Sequence, residues 1–196
     1  MLVGDLATSI HGLTGHVGPV DELMRLLADY LVFGAIVVLG MLWLNRRGLR
    51  AGLAVGIGAV VALALGQLLA SLVPESRPFV TDHFTPLVTH SADGSFPSDH
   101  LLVLGALVGG CLVASRPLAT LAAVMALLVA AARVYVGIHY PVDVVAGFLI
   151  GAGCGLGAWR ALAPAQGVLD RVDLTLQRRG LRPFRRGTAP SAGPTA

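Results

Sequence analysis

The strongest constraint on the fold is a series of long apolar segments separated by short polar or charged connections. A transmembrane helix needs about 20 consecutive, mostly apolar residues. Five segments reach or approach that length: residues 23–44, 51–73, 96–115, 117–138 and 140–159. Charged side chains make up 13% of the chain, compared with about 25% in soluble proteins. The sequence therefore predicts an all-α fold, a polytopic membrane bundle of about five transmembrane helices.

The arginines predict how this bundle is oriented. All 14 basic residues are arginine, and most lie beside spans, in connections that the positive-inside rule assigns to the cytoplasm. These are Arg46, Arg47, Arg50, Arg116, Arg171, Arg178, Arg179, Arg182, Arg185 and Arg186. The N-terminus is then outside, the C-terminus is cytoplasmic, and residues 74–95 lie outside together with the turn at His139. All six histidines fall on that side, which independently indicates one functional face.

The segments that flank the membrane domain, residues 23–163, carry no transmembrane pattern. Residues 1–22 predict a short interfacial segment and lack the pattern of a cleaved secretory signal. Residues 164–196 predict a basic, largely disordered cytoplasmic tail near anionic lipid. The arginines of the loops and tail account for the net charge of +3, so nucleic-acid binding is not expected. Cys111 and Cys154 lie in apolar runs and indicate neither a disulfide nor a metal site.

Two arginines on the outer face predict an anion-binding site. Arg77 follows the second span, and Arg133 lies near the end of the fourth. Each has a simpler interpretation when taken alone, Arg77 as a surface cation and Arg133 as an arginine that reaches toward the headgroups. Beside two histidines, however, the pair favours phosphate binding, because a planar guanidinium group matches phosphate oxygens.

A second polar cluster, residues 95–100, is expected to open the third helix. Ser95 is predicted to cap that helix, with Pro97 at an early helical position. The unpaired N–H groups of a helix start form a seat for phosphate, to which Ser98 adds a hydroxyl donor. Ser98 can instead act as a cap, and Asp99 can simply favour the positive end of the helix dipole.

The third cluster, His139 and Asp143, predicts a nucleophile and its orienting carboxylate. If a helix begins near Pro141, the carboxylate of Asp143 turns back toward the imidazole. It would then hold one ring nitrogen and leave the other free to attack. The alternative is an interfacial ring followed by a carboxylate that favours a helix start.

Together the clusters resemble the type 2 phosphatidic acid phosphatase superfamily, whose signatures are Lys-x6-Arg-Pro, Pro-Ser-Gly-His and Ser-Arg-x5-His-x3-Asp. The matching positions are Arg77-Pro78, Pro97-Ser98-Asp99-His100, and Arg133 with His139 and Asp143. Residues 95–100, together with His90, Asp93 and residues 10–13, are similar to the bacitracin-resistance type of undecaprenyl-diphosphatase. Three positions depart from the signatures: Asp99 replaces glycine, Ala132 replaces serine and Ala70 replaces lysine.

The resemblance implies a reaction and a set of roles. His139 attacks phosphorus to give a phosphohistidine, Asp143 orients it, and His100 protonates the leaving oxygen and later helps to activate water. The residues implied to bind the substrate phosphate are Arg77, Ser98, Asp99 and Arg133. The implied reaction, without cofactor or metal, converts undecaprenyl diphosphate to undecaprenyl phosphate and phosphate at the outer face of a bacterial plasma membrane. Its partners are a polyprenyl diphosphate lipid and the surrounding membrane lipids.

Three alternatives remain open at this point. The first is a broader phosphatase of phosphatidic acid, phosphatidylglycerol phosphate or another polyprenyl phosphate. The second is a transporter, since intramembrane Arg, His and Asp can mark a transport path. The third is a metal enzyme. Its candidate ligands are Asp82, His83, His90, Asp93, Asp99 and His100.

Overall fold

The computed structural model describes residue 14, residues 17–45 and residues 48–181 as a helical bundle. Helices α1 (Gly18–Tyr30) and α2 (Gly34–Trp43) are joined by one 3-10 turn and form a single apolar segment of 26 residues. The helices that follow are α3 (Gly48–Leu72), α4 (Pro78–Thr81), α5 (Asp99–Cys111), α6 (Arg116–Tyr135), α7 (Pro141–Ala161) and α8 (Gln166–Arg178). Within the described residues, four helical segments are long and apolar enough to cross a membrane: Gly18–Trp43, Leu49–Leu72, Arg116–Tyr135 and Pro141–Ala161. The predicted all-α, polytopic membrane fold is confirmed.

Helix α5 is shorter than the predicted third span, residues 96–115. Its 13 residues extend about 20 Å at 1.5 Å per residue. It begins at Asp99 with Ser98 as the N-cap, so the prediction that Ser95 caps this helix is wrong. The helix contacts α3, α6 and α7, and most of its side chains are buried. Because protein surrounds α5, it does not need the length of a lipid-exposed span.

Two segment boundaries also differ from the prediction. Helix α1 begins at Gly18, with a proline in its first turn, so the last part of the predicted interfacial segment 1–22 is helical. Residues 166–178, predicted as part of a disordered tail, form α8. Residues 1–13, 15 and 16 of the interfacial segment, including His11 and His16, lie outside the described residues, as do Arg46, Arg47 and residues 182–196.

Helices α5 and α7 pack backbone to backbone. The contact is formed by glycines spaced four residues apart on each helix: Gly105 and Gly109 on α5, and Gly147, Gly151 and Gly155 on α7. A Cβ at Gly105, Gly109, Gly151 or Gly155 would overlap a carbonyl oxygen of the facing helix. Small residues at this spacing let membrane helices approach closely. At the four positions with a facing carbonyl, the two backbones are therefore in direct contact.

The two ends of the bundle differ in chemistry. At one end, the Arg50 guanidinium lies 4.1 Å from the centre of the Trp159 ring and donates to Gln166 Oε1 at 2.8 Å, which attaches α8 to α3. At the other end, Ser76 and Gly94 pair as an isolated antiparallel bridge that draws together the two ends of the loop between α3 and α5. The α6–α7 turn lies beside this loop, and together they carry the predicted polar residues.

Candidate active site

A polar cavity of about 210 Å³ opens at the end of the bundle that carries this loop. Its walls come from the end of α3, the loop between α3 and α5, the first turn of α5, and the α6–α7 turn. Five of the predicted site residues line it: Arg77, Asp99, His100, Arg133 and His139. The other two, Ser98 and Asp143, are completely buried. The structure therefore brings together residues from three distant parts of the chain.

The His139 ring has two different sides. Its Nε2 lies 3.4 Å from Arg77 Nη1 and 3.2 Å from Arg133 Nη2. Its Nδ1 lies 3.5 Å from Asp143 Oδ2. A ring that accepts from arginines at Nε2 and faces a carboxylate at Nδ1 carries its proton on Nδ1. The Nε2 lone pair is thus directed to the place where two arginines can hold an oxyanion.

His139 is uncharged at neutral pH. The ring is 2% exposed, and this burial lowers its pKa to about 4, against the opposing effect of the hydrogen bond to Asp143. The positive charges of Arg133 and Arg77 lower the pKa further. A neutral imidazole retains the lone pair that a nucleophile requires.

Both arginines are buried and retain unused donors. Arg77 donates from Nε to Asp93 Oδ1 at 2.8 Å and from Nη1 to the Ile138 carbonyl at 2.9 Å. Arg133 donates from Nη1 to the Ala28 carbonyl at 3.3 Å, and its buried Nε has no partner within the described part of the chain. Buried cations with incomplete pairing favour an anionic ligand.

Asp93 and His90 line the same cavity. Burial opposes the charge of Asp93, but hydrogen bonds from Arg77 and Ser91 outweigh it and lower the pKa of this carboxyl. Burial lowers the pKa of His90, and the charge of Arg77 adds to the effect. Asp93 is therefore an anion that fixes the Arg77 guanidinium at the cavity wall.

Asp143 is held by three groups around one oxygen. Its Oδ2 accepts from the Tyr140 N–H at 2.8 Å and from the Ser95 hydroxyl, in addition to facing His139. Ser95 Oγ also lies 3.5 Å from His139 Nδ1. Ser95 thus supports the histidine–carboxylate pair, a role that the sequence analysis missed. The only sign of this role in the sequence was that Ser95 belongs to the polar cluster of residues 95–100.

The start of α5 adds a free hydroxyl. The Ser98 N–H donates to the Asp143 carbonyl at 3.2 Å, which joins α5 to α7. Its Oγ is buried, makes no helix-capping bond, and has no partner among the described residues. Ala70, at the position of the signature lysine, lines the cavity with a methyl group.

The metal-binding alternative finds no support in side-chain placement. Within residues 17–45 and 48–181, no three His, Cys, Asp or Glu side chains lie close enough together to hold a metal ion. The six candidate ligands named above are instead divided between the cavity wall and the exposed part of the loop. Asp82 and His83 are in the exposed part.

The fold and the cavity define a class of protein, an integral membrane enzyme with two buried arginines around a neutral histidine in a polar cavity. Residues 47–166 match the PAP2 superfamily model. The chain belongs to this superfamily and is a membrane lipid phosphatase. It is 31% identical over 148 residues to the undecaprenyl-diphosphatase BcrC of Bacillus subtilis, which covers 74% of this chain and 77% of that protein.

Two solved structures share the fold. LpxE of Aquifex aeolicus superposes with a TM-score of 0.64 at 22% identity, covering 82% of this chain and 96% of that one. A transmembrane PAP2-type phosphatidylglycerolphosphate phosphatase of Bacillus subtilis superposes with a TM-score of 0.61 at 19% identity, covering 94% of this chain and 88% of that one. These similarities support the multi-pass membrane architecture.

Proposed function

We propose that the chain hydrolyses undecaprenyl diphosphate to undecaprenyl phosphate and inorganic phosphate through a phosphohistidine intermediate. The observation that carries the proposal is the position of His139. Its Nε2 lies within 3.4 Å of two arginines, while its Nδ1 faces Asp143. This arrangement suits attack on a phosphorus atom whose oxygens the arginines hold.

The proposed first step forms an Nε2–P bond and breaks the bond between phosphorus and the bridging oxygen of the diphosphate. Charge that develops on the phosphoryl oxygens is stabilised by Arg77, Arg133 and the start of α5, including the Ser98 hydroxyl and Asp99 N–H. Asp143 stabilises the imidazolium that forms, because its carboxylate faces Nδ1. His100 lies in the wall of the same cavity. Burial and the charge of Arg133 lower its pKa, so it takes up its proton together with the anionic diphosphate, whose charge favours the imidazolium, and then donates that proton to the leaving oxygen.

In the second step, water attacks the phosphohistidine, the N–P bond breaks and inorganic phosphate leaves. His100, now neutral, takes a proton from that water. The imidazole returns to its neutral form with the proton on Nδ1. The cycle therefore consumes one water and needs no other reactant.

A diphosphate substrate fits the incomplete set of cations. The leaving group is a lipid monophosphate, whose second pKa of about 6 makes it a better leaving group than an alkoxide. The demand on His100 and on a third cation is correspondingly lower, which is consistent with alanine at position 70. The Bacillus subtilis relative named above as an undecaprenyl-diphosphatase supports the same substrate.

The broader lipid phosphatase remains a second candidate. The cavity contacts that hold a phosphoryl group do not depend on the lipid attached to it. One of the two structural neighbours is named a phosphatidylglycerolphosphate phosphatase. A diacyl lipid phosphate is therefore the comparison substrate for the experiment.

We infer that the cavity faces the outside of a bacterial plasma membrane. It lies at the end of the bundle opposite Arg50 and α8, and the loops at that other end carry the arginines that favour the cytoplasm. The N-terminus is then outside and the C-terminus inside. In this position the enzyme would regenerate the carrier lipid of cell-wall synthesis.

The decisive experiment compares substrates with the purified protein in detergent. Phosphate release from undecaprenyl diphosphate is measured beside release from phosphatidic acid and phosphatidylglycerol phosphate, with a chelator present in all reactions. We expect kcat/KM to be highest for undecaprenyl diphosphate and the His139→Asn variant to be inactive but folded. A preference for a diacyl lipid would refute the substrate, near-normal turnover by the variant would refute the nucleophile, and loss of activity in chelator would refute metal-free chemistry.

A further inference from the structure

A second carboxyl group, that of Glu75, adjoins Asp143. The Ser95 N–H donates to the Glu75 carbonyl at 2.8 Å, and the bridge between Ser76 and Gly94 holds the two strands of this loop together. Because the Ser95 hydroxyl donates to Asp143, the backbone of Glu75 lies next to the orienting carboxylate. The Glu75 and Asp143 side chains are within hydrogen-bonding reach of each other.

Asp143 has an oxygen that needs a donor. Its Oδ2 is well supplied, but Oδ1 is buried and has no hydrogen-bond partner among the described residues. The side chain is completely buried, so solvent at the protein surface does not reach this oxygen. A buried carboxylate oxygen without a donor is unfavourable.

Two ionised carboxylates at hydrogen-bonding distance would also repel each other. Within the described part of the chain, no arginine or histidine forms a salt bridge with Glu75. The titratable group that faces the pair across Asp143 is His139, which is neutral in the resting site. Arg77 and Arg133 lie at the opposite side of that ring. Where no cation separates two carboxyl groups, the charge of one favours the protonated form of the other.

We propose that Glu75 is a positioning residue that keeps a proton and donates it to Asp143 Oδ1. Asp143 is then fixed at both oxygens, with Oδ2 directed toward His139 Nδ1. The proton stays on Glu75 throughout phosphoryl transfer, so no additional bond is made or broken. Glu75 does not line the cavity, and it acts on the substrate only through Asp143 and His139.

The titration of Glu75 agrees with this geometry. Burial, followed by the negative charge of Asp143, raises the pKa of Glu75 above its usual 4.5. The proton is therefore retained below the raised pKa and lost as the pH increases through it. Loss of the proton breaks the hydrogen bond and places a second negative charge beside Asp143, which predicts an alkaline decline in kcat.

Two substitutions at Glu75 test the proposal, which rests on His139 as the nucleophile. Glu75→Ala removes the donor and should lower kcat about tenfold or more, the effect of losing one hydrogen bond to a charged group, with little change in KM. Glu75→Gln supplies an N–H donor at every pH and should recover most of that kcat while abolishing the alkaline decline. Asp82→Asn, which neutralises an exposed carboxylate in the same loop, serves as the matched control and should behave as the wild type.

Infrared spectroscopy tests the proton without requiring turnover. The C=O stretch of a protonated carboxyl group should be present in the wild type and in the inactive His139→Asn variant, and absent from Glu75→Gln. This measurement separates failure of the positioning role from failure of the proposed substrate, and it does not require Glu75→Ala to fold. Equal kcat losses in the Ala and Gln variants, or absence of the Glu75 carboxyl band, would overturn the proposal.

Discussion

Replacing Ser95 with alanine should lower the turnover of this enzyme without weakening substrate binding. The Ser95 hydroxyl donates to Asp143 Oδ2 and is fully buried. A hydrogen bond to a charged group contributes about 1.5–3 kcal/mol, and about 1.4 kcal/mol corresponds to a factor of ten. Loss of the bond therefore predicts a decrease in kcat of about tenfold to a hundredfold. The Tyr140 N–H still holds Asp143 in the variant, so the loss should be smaller than in Asp143→Ala.

The kinetic parameter that changes is the diagnostic result. Ser95 does not line the cavity, so KM should stay within about twofold of the wild type while kcat falls, as expected when orientation of a catalytic group is lost. Ser71→Ala is the matched control, because the exposed Ser71 hydroxyl donates to the Leu68 carbonyl in its own helix and not to Asp143. Both variants are assayed by phosphate release after their unfolding temperatures have been compared. A wild-type kcat in Ser95→Ala, or a change confined to KM, would refute the positioning argument.

Three further predictions concern packing, pH and the missing cation. Gly151→Ala should lower the unfolding temperature in detergent, because its Cβ would overlap the facing backbone and overpacking costs about 1–3 kcal/mol. Gly153→Ala is the control, since a Cβ there meets open space. Equal effects of the two substitutions would contradict the close contact. The acid limb of kcat/KM should lie near pH 4, the lowered pKa of His139, because the proposed nucleophile is lost as the ring gains a proton. Arg133→Met should shift this limb to higher pH. An unshifted limb would show that the charge of Arg133 does not lower the pKa of His139. Ala70→Lys should fold and lower KM several-fold by adding a cation to the cavity, whereas an unchanged KM would show that the lysine does not reach the phosphate.

The sequence was sufficient for the parts of the fold that depend on continuous patterns. Apolar length predicts the spans formed by α3, α6 and α7 because each must cross the bilayer regardless of its neighbours. Helix α5 departs from this pattern since it is enclosed by other helices. Its start at Asp99 could not be predicted from capping preference alone, because the hydroxyl of Ser95 is bound to Asp143 in another part of the chain.

The candidate site shows the same division between local and non-local information. Spacing along one turn of helix predicts that Asp143 faces His139, and the structure places them 3.5 Å apart. The contribution of Ser95 depends on a loop that folds back across the bundle, a contact between residues 48 positions apart. Glu75 was missed for the same reason, since a carboxylate beside a loop arginine looks like an ordinary surface charge.

The backbone contact between α5 and α7 has a mechanical consequence. Because their backbones touch at the glycines, the two helices have little that can be compressed at those positions and should respond to lateral pressure in the bilayer as one stiff body. Asp143 and the start of α5 both belong to that body, whereas Arg77 belongs to the loop between α3 and α5. Changes in membrane thickness should therefore tilt one half of the cavity as a unit, and any strain should be taken up at the loop.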